Sequence, residues 1–362
     1  MFSDIYRKRR VLITGHTGFK GSWLSFWLRE LGAEVCGVAL PPEATPNHWE
    51  MLKLDIRSEI CDIRDSEKLT NIFADFRPEL VFHLAAQPLV RRSYRDPAAT
   101  FDVNVTGTAK VLEAVRGCDA VRAVVVVTSD KCYENREQSR GYREDDPMGG
   151  YDPYSASKGC AELVVSSFRR SFFHPADYGT KHRVLLASAR AGNVLGGGDW
   201  AEDRLVPDIM RGAAKGETAL IRNPASVRPW QHVLESLSGY LALGERLLAG
   251  EARFADGWNF GPADGKVVTV GEAAEALRRE WPDIKLEFSA PVDAPHEAKL
   301  LKLDCSKAAR ELKWRGVWTP DECFRHTARW YRDFYRENRI DTADDLGEYI
   351  DAARKADLSW TK

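Results

Sequence analysis

The sequence predicts an α/β fold in which a doubly wound parallel sheet carries a smaller C-terminal α/β lobe. From residue 11 to about residue 195, short β-branched runs alternate with helical segments, as in parallel strands joined by crossover helices. The unbroken apolar run 123–127 is typical of a strand that helices cover on both faces. After Gly196 the alternation loosens, which indicates the second lobe.

The strands of the sheet are expected, in chain order, at residues 11–14, 34–40, 59–63, 80–85, 121–129 and 184–189. The fifth contains the apolar run and should be central. In the second lobe, Pro207 and the glycines at 196–198 interrupt the pattern. Helices at 234–248 and 270–280 are then expected among short strands at 219–222, 258–260 and 286–288.

This pattern predicts three parts. Residues 1–195, with contributions from about 232–262, form the sheet domain, and residues 196–340 form the second lobe. Residues 341–362 are polar and are expected to form a loosely attached helical tail.

Composition excludes several classes of protein. Lys and Arg total 52 against 54 Asp and Glu, so no net basic charge is available to hold nucleic acid or an anionic membrane. The longest apolar runs are far shorter than the ~20 residues of a membrane span, and no apolar signal region precedes the first strand, so we expect a cytoplasmic protein. The seven cysteines are scattered and form no Cys-x-x-Cys pair, which argues against a disulfide framework and a metal site.

A glycine motif between the first strand and the first helix predicts a dinucleotide site. Gly15, Gly18 and Gly21 have the spacing G-x-x-G-x-x-G, which lets the backbone approach a pyrophosphate at a helix N-terminus. A cluster of ordinary turn glycines is the alternative. Asp62-Ile63 and His83 to Ala86 follow later strands in the expected order, which favours a Rossmann-type domain.

The second strand ends at Leu40 with neither an acidic residue for an adenosine ribose nor an arginine for a 2′-phosphate. The sequence therefore favours NAD over NADP, although it departs from the usual NAD pattern. The candidate cofactor residues are Gly15, Thr17, Gly18, Phe19, Lys20, Gly21, Asp62, Ile63, Leu84, Ala85, Ala86, Gln87, Asn104, Thr128, Tyr154 and Lys158.

Tyr154 and Lys158 begin a predicted helix and are four residues apart, so they share one helical face. A nearby ammonium favours phenolate, so we expect a lowered pKa of Tyr154 and proton transfer from a sugar hydroxyl. Two surface residues of an amphipathic helix are the alternative. The strand predicted at 121–129 ends with Ser129 and is followed by Asp130 and Lys131, so these side chains reach the edge of the sheet where ligands bind.

The glycine motif, the strand-end Ser129 and the Tyr154-x-x-x-Lys158 motif, in this order, resemble the extended short-chain dehydrogenase/reductase superfamily over about residues 9–335. Three stretches resemble the CDP-glucose 4,6-dehydratases more closely: Gly-His-Thr-Gly-Phe-Lys-Gly-Ser-Trp (15–23), Thr-Ser-Asp-Lys-Cys-Tyr (128–133) and Ala-Arg-Ala-Gly-Asn-Val-Leu-Gly-Gly-Gly-Asp-Trp (189–200). Related dehydratases for other nucleotides have Asp-Glu where this chain has Asp130-Lys131.

The resemblance implies NAD as cofactor and the 4,6-dehydration of CDP-D-glucose to CDP-4-dehydro-6-deoxy-D-glucose. Tyr154 and Ser129 would handle the O4 proton. Lys131 is the candidate C5 base and Asp130 the candidate acid, although the two are coupled and their roles can be exchanged. A structural salt bridge between them is the alternative. Three rival functions stay open, namely a sugar-nucleotide 4-epimerase, a dehydratase for another nucleotide and a non-catalytic cofactor-binding protein.

The second lobe is expected to bind the nucleoside diphosphate. Arginine matches phosphate oxygens and tryptophan offers a stacking surface, which singles out Arg228 and Trp230. Taken singly, each such residue is more often a surface charge or a core polar group. The full set of substrate candidates, several of them implied by the resemblance, is Arg91, Asn193, Arg204, Arg222, Arg228, Trp230, His296 and Glu297. The resemblance also implies a homodimer or dimer of dimers, paired through helices near residues 98–115 and 154–173.

Overall fold

The computed structural model describes residues 1–262, 268–289 and 301–362. Its centre is a seven-stranded sheet with all neighbouring strands parallel. The strands of this sheet are β1 Arg10–Thr14, β2 Glu34–Ala39, β3 Arg57–Ile60, β4 Leu80–His83, β5 Ala123–Val127, β6 Leu185–Ala191 and β11 Gly257–Phe260. Their spatial order is β11-β6-β5-β4-β1-β2-β3, so β4 holds the middle place and β5 lies beside it.

Helices cover both faces of the sheet, as the predicted fold requires. The helices are α1 Phe19–Glu30, α2 His48–Leu52, α3 Ser66–Phe76, α4 Val90–Arg95, α5 Pro97–Phe101, α6 Gly107–Gly117, α7 Pro153–Ser171, α8 Leu205–Lys215, α9 Val233–Leu248, α10 Val270–Glu280, α11 Pro320–Glu337 and α12 Thr342–Lys355. Apolar residues of α3, α6 and α7 pack on one face, and those of α1, α9 and α11 pack on the other. The buried apolar area on the two faces is the main stabilising contribution.

The six expected strands are all present, but four are shorter at the carboxyl end than the sequence predicts. β2 ends at Ala39, β3 at Ile60, β4 at His83 and β5 at Val127, because pairing stops where the chain turns into loops at the carboxyl edge. Asp62, Ala85 and Ser129 therefore lie on loops rather than in strands. All five residues of β5 are buried, as expected of a strand covered on both faces.

The second lobe consists of short strand pairs and helices beside the carboxyl edge of the sheet. β8 Thr218–Arg222 pairs with β13 Lys285–Ser289, and β9 Val227–Arg228 pairs with β12 Val268–Thr269. A further pair, β7 Val194–Leu195 with β10 Gln231–His232, connects the lobe to the sheet domain.

The expectation of a loosely attached C-terminal tail is wrong. On α12, Tyr349 is fully buried and donates a hydrogen bond to Glu235 of α9 at 2.8 Å. Thr342 is bound by His48 of α2 at 2.8 Å, and Trp360 stacks on Phe2 at a ring separation of 5.1 Å. The segment looks exposed in sequence because it is polar. Its polar groups are buried, however, and bond to distant parts of the chain, which joins the segment firmly to the core.

Within the described ranges, no helix is long and apolar enough to cross a membrane. The same part of the chain contains no cluster of three or more His, Cys, Asp or Glu side chains that could bind a metal ion. All seven cysteines are free thiols, and five of them are buried.

Candidate active site

The first catalytic strip lies immediately after β5. Ser129 caps a 3-10 turn, Asp130–Cys132, because its hydroxyl accepts a hydrogen bond from the Lys131 amide at 3.2 Å. The same hydroxyl donates to Oδ1 of Asp130 at 2.9 Å. This turn holds the strand-end hydroxyl and the charged pair together at the carboxyl edge.

The second strip is the first turn of α7. Asp152 caps the helix by accepting from the Ser155 amide at 2.9 Å, and Pro153 occupies the first helical position. Tyr154 and Lys158 are both buried and lie one helical turn apart, facing the strip after β5. The structure therefore brings the five candidate catalytic residues into one region.

The electrostatics of Tyr154 differ from the sequence expectation. Burial raises the pKa of Tyr154 to about 12, while a hydrogen-bonding contact with Ser129 lowers it. Burial also lowers the pKa of Lys158 to about 8. The expected lowering of the Tyr154 pKa is thus wrong for the protein groups alone, because desolvation of the phenolate outweighs the favourable contacts.

Asp130 has the properties expected of a carboxylic acid that stays protonated. It is 2 % exposed, and among the described residues its Oδ2 atom has no hydrogen-bond partner. Burial raises the pKa of Asp130, and Lys131 opposes this shift, as the sequence predicts. Gly192 leaves open space at this oxygen, since a Cβ there would lie 2.9 Å from Oδ2.

A lysine and a tyrosine that the catalytic prediction omitted lie beside this region. Lys20, at the start of α1, donates to Oη of Tyr240 at 3.2 Å. The pKa of Lys20 is lowered to about 7. Burial is the largest cause, Arg204 and Lys158 act in the same direction, and Asp130 opposes them. Tyr240 is fully buried on α9, and in sequence it looks like an ordinary core aromatic residue.

The loop between β1 and α1 fits a dinucleotide. Gly15 has φ +79°, and a Cβ there would lie 2.7 Å from the Ala85 backbone nitrogen. A Cβ at Gly21 would lie 2.0 Å from the Gly15 carbonyl oxygen, so only glycine permits this close packing. No side chain caps the amides at the start of α1, and these amides can bind a pyrophosphate.

The other candidates of this loop lie along the same cleft. Thr17 donates to the Leu40 carbonyl at 2.9 Å, which ties the loop to the end of β2. Gly18 and Phe19 lie at the start of α1. Leu84, Ala85 and Ala86 lie on the half-buried loop after β4.

The candidates farther along the sheet edge have protein partners. Asp62 is bound by Arg64 at 2.6 Å, and Ile63 packs against Gly107. Asn104 is buried and uses both amide hydrogens within the protein, donating to the Gln87 carbonyl at 3.1 Å and to Ser157 at 2.8 Å. Asn104 therefore positions the Gln87 loop instead of pointing into an open cleft.

Thr128 also turns away from the cleft. Its hydroxyl donates to Glu162 of α7, which forms a buried ion pair with Arg190 of β6 at 2.8 Å. The catalytic prediction missed this pair. A charged residue in a strand buried on both faces requires a partner, so Arg190 in the run 185–191 was the signal that could have revealed it.

The candidate substrate residues are spread around the opening. Arg204 forms an ion pair with Asp199 at 2.7 Å, and its charge acts on Tyr154. Arg228 lies near Asp130, whose pKa it helps to lower. Farther out, the candidates are Arg91, paired with Asp203 at 2.9 Å, the exposed Arg222 at the end of β8, and Asn193, whose carbonyl accepts from the Gln231 amide at 3.0 Å.

Trp230 does not provide the expected stacking surface. It is 7 % exposed and packs edge-on against Phe324, so its ring belongs to the core of the second lobe. His296 and Glu297 lie outside the described residues.

The chain is similar to several known proteins. A sequence model of the family described as GDP-mannose 4,6 dehydratase matches residues 12–327. The chain is 50% identical over 356 residues to the CDP-glucose 4,6-dehydratase of Salmonella typhimurium, covering 97% of this chain and 99% of that protein.

Two solved structures share the fold. The dTDP-glucose 4,6-dehydratase of Streptomyces venezuelae, solved with NAD bound, has a TM-score of 0.76 and 25% identity and covers 90% of this chain and 97% of that one. The UDP-glucose 4-epimerase of Thermus thermophilus, solved with NAD, has a TM-score of 0.75 and 26% identity and covers 89% of this chain and 99% of that one.

Proposed function

This chain belongs to the CDP-glucose 4,6-dehydratase family, and from that premise we propose that it is an NAD-dependent hydro-lyase that converts CDP-D-glucose to CDP-4-dehydro-6-deoxy-D-glucose. The observation that carries the proposal is the buried Asp130, whose Oδ2 atom has no hydrogen-bond partner among the described residues. Elimination of water is assisted by a general acid beside the leaving hydroxyl, and a buried carboxylic acid can serve as one, whereas 4-epimerisation expels no hydroxyl.

The glycine loop, the amides at the start of α1 and the Tyr154–Lys158 pair would hold the cofactor. Bound there, NAD would supply the hydride acceptor for oxidation at C4 and the hydride donor for reduction at C6. Tyr154 accepts the proton of O4, and Ser129, in contact with Tyr154, donates a hydrogen bond to the same oxygen. The positive charge of Lys158 one turn away stabilises the phenolate as it forms.

The charged pair serves the elimination. A ketone at C4 makes the C5 proton acidic, and Lys131 is the base that removes this proton and returns one to C5 when C6 receives the hydride. Asp130 protonates the C6 hydroxyl, which leaves as water. Burial supports this role because it raises the pKa of Asp130 and so favours the protonated acid. Lys131, Lys20 and Arg228 oppose that shift, so the pKa of Asp130 depends on the balance between its burial and these three cationic side chains.

The remaining expectations complete the proposal. Asn193, Arg222 and Arg228 are assigned to the nucleoside diphosphate, Arg91 to the sugar or to closure of the site, and Arg204 to substrate binding. We also propose a homodimer paired through residues 98–115, which include α5 and α6, and through α7, because Leu163, Phe101 and Phe172 expose 58%, 36% and 42% of their surfaces on this side of the protein. The cytoplasmic location predicted from the sequence stays a prediction.

The test is to incubate the purified protein with CDP-glucose, with and without added NAD, and to measure the product by mass spectrometry. Loss of one water with no net NADH supports the dehydratase. An unchanged mass with an altered sugar would instead identify a 4-epimerase. Dehydration of a different nucleoside diphosphate glucose at a higher kcat/KM would overturn the assignment of cytosine.

A further inference from the structure

An ion pair is buried behind the two catalytic strips. Glu162 and Arg190 lie 2.8 Å apart, and their side chains are 4% and 5% exposed. Removing two charges from water is unfavourable unless further hydrogen bonds satisfy them. The bonds that these two residues make therefore indicate what the pair is for.

The pair binds both ends of the catalytic turn. Glu162 accepts from the Thr128 hydroxyl and from Ser188 at 2.7 Å. Arg190 donates to the Tyr133 hydroxyl at 2.6 Å, and Tyr133 in turn donates to Asn259 at 2.7 Å.

Thr128 and Tyr133 enclose the segment that contains Ser129, Asp130 and Lys131. One side chain on each side of this segment is thus bound to the same ion pair. Because Glu162 also lies one helical turn after Lys158 on α7, the pair links the turn after β5 to the helix that carries Tyr154.

We propose that Glu162 and Arg190 are positioning residues for the dehydration: they hold the Ser129–Lys131 segment against the Tyr154–Lys158 turn, and the Glu162 carboxylate supports the positive charge of Lys158. The proposal rests on the proposed function for its kinetic readout. Neither residue is assigned to bind the substrate or the cofactor.

The surroundings of Lys158 support the electrostatic part. Burial lowers the pKa of Lys158 to about 8, and Glu162 raises it, with a smaller contribution from Cys132. Burial raises the pKa of the Cys132 thiol and lowers that of His83 on β4 to about 3, so both are neutral near pH 7. Lys158 lowers the pKa of Lys20 on α1, so this neighbouring lysine supplies no negative charge that could stabilise the Lys158 ammonium. Glu162 is therefore the anion that sustains the charge of Lys158.

The decisive variant is Glu162→Gln with Arg190→Met, which removes both charges while keeping similar volumes. The glutamine can still bond to Thr128 and Ser188, whereas Glu162→Gln alone would leave a buried guanidinium without a counterion. We expect kcat to fall about 10- to 100-fold with KM for CDP-glucose within about twofold, because the reacting groups lose their alignment. In the plot of kcat against pH, the alkaline limb should move to lower pH by about half a pH unit or more, because Lys158 loses its proton more easily without Glu162.

Two variants separate the two roles. Glu162→Asp keeps the charge but shortens the reach, so it should restore the alkaline limb while kcat stays low. Thr128→Val removes one hydrogen bond of the turn and neither charge, so it should lower kcat without moving the limb. Thr128→Val also keeps the proposal testable if the double variant fails to fold.

The matched control is Asp345→Asn with Arg329→Met. The Asp345 carboxylate is buried and lies 2.7 Å from the Arg329 guanidinium, but this ion pair joins α11 to α12. Its loss should lower stability and leave the pH profile and the kcat of the folded protein unchanged. A folded Glu162→Gln/Arg190→Met protein with wild-type kcat and pH profile would overturn the proposal.

A measurement without turnover distinguishes failure of this proposal from failure of the proposed function. The 13Cε shift of Lys158 in lysine-labelled protein, assigned with Lys158→Arg, reports its titration directly. The Lys158 pKa should fall in the double variant whether or not CDP-glucose is the substrate. An unchanged Lys158 titration contradicts the electrostatic part, whereas a wild-type protein that does not dehydrate CDP-glucose contradicts only the proposed function.

Discussion

The Nζ atom of Lys20 lies 3.2 Å from the Oη atom of Tyr240, which joins the first helix of the glycine loop to α9. This contact places a titratable ammonium in the electrostatic field of Asp130. The proton affinity of the acid thus depends on a residue that the sequence assigns to the cofactor.

Replacing Lys20 by methionine should extend activity to higher pH. Lys20 lowers the pKa of Asp130, so its removal lets Asp130 keep its proton over a wider range. At saturating NAD, the limb of the kcat profile that reports loss of this proton should move up. Tyr240→Phe removes the hydrogen bond but neither charge and should leave this limb in place. A downward shift in Lys20→Met would contradict the assignment of Asp130 as the acid.

Tyr154→Phe should abolish proton transfer from O4 while leaving the fold intact. We expect kcat to fall about 10²- to 10⁴-fold, the usual contribution of a positioned acid or base. Single-turnover absorbance should show no transient NADH, and CDP-glucose should still bind. Wild-type turnover by Tyr154→Phe would exclude this residue as the proton acceptor.

Gly21→Ala should weaken NAD binding strongly and lower stability by about 1–3 kcal/mol, because the added methyl group collides with the Gly15 carbonyl oxygen. The control is Gly347→Ala on α12, where no atom lies within 4 Å of the added Cβ. That change should raise stability by about 0.5–1 kcal/mol. NAD titration and thermal unfolding measure both effects, and equal NAD affinities in the two variants would disprove a glycine cradle.

Glu235 should make the protein less stable as pH rises through the range from about 4.5 to about 7. Burial raises its pKa from 4.5 to about 7, so the folded state holds a proton that the unfolded state loses, and this contribution disappears as pH increases through the folded value. Glu235→Gln should remove this slope from the unfolding free energy measured by urea titration. Buried neutral histidines, such as His48, make the protein less stable as pH falls, which is the opposite dependence. These histidines are the same in wild type and Glu235→Gln, so the difference between the two proteins reports Glu235 alone.

The sequence predicts most of the sheet domain because strand and helix periodicity is local. The run 123–127 could only be a covered strand, and the glycine spacing and the Tyr154–Lys158 turn each depend on neighbouring residues. Contacts between distant segments were harder to predict. The attachment of α12 to the core was mispredicted, because nothing in residues 341–362 reveals that Glu235 and His48 bind it.

The directions of individual side chains were also difficult to predict from the sequence. Trp230 has the residue type of a stacking surface but packs into the core, and Thr128 has the strand-end place of a cofactor ligand but points to Glu162. Alternation along a two- or three-residue segment does not determine such directions, because the loop that follows rotates the chain.

The separation of the small strand pairs from the seven-stranded sheet makes the fold modular. The proton-handling groups belong to the β5 loop and α7, whereas Arg222 and Arg228 lie on β8 and β9, which pair only with β13 and β12 among the described strands. Arg228 also acts on the pKa of Asp130, so the β9–β12 ribbon is tied to the chemistry. Within the described residues Arg222 has no such link, and its proposed role in nucleotide binding makes the β8–β13 ribbon the more direct segment to exchange between relatives when a different nucleotide preference is sought.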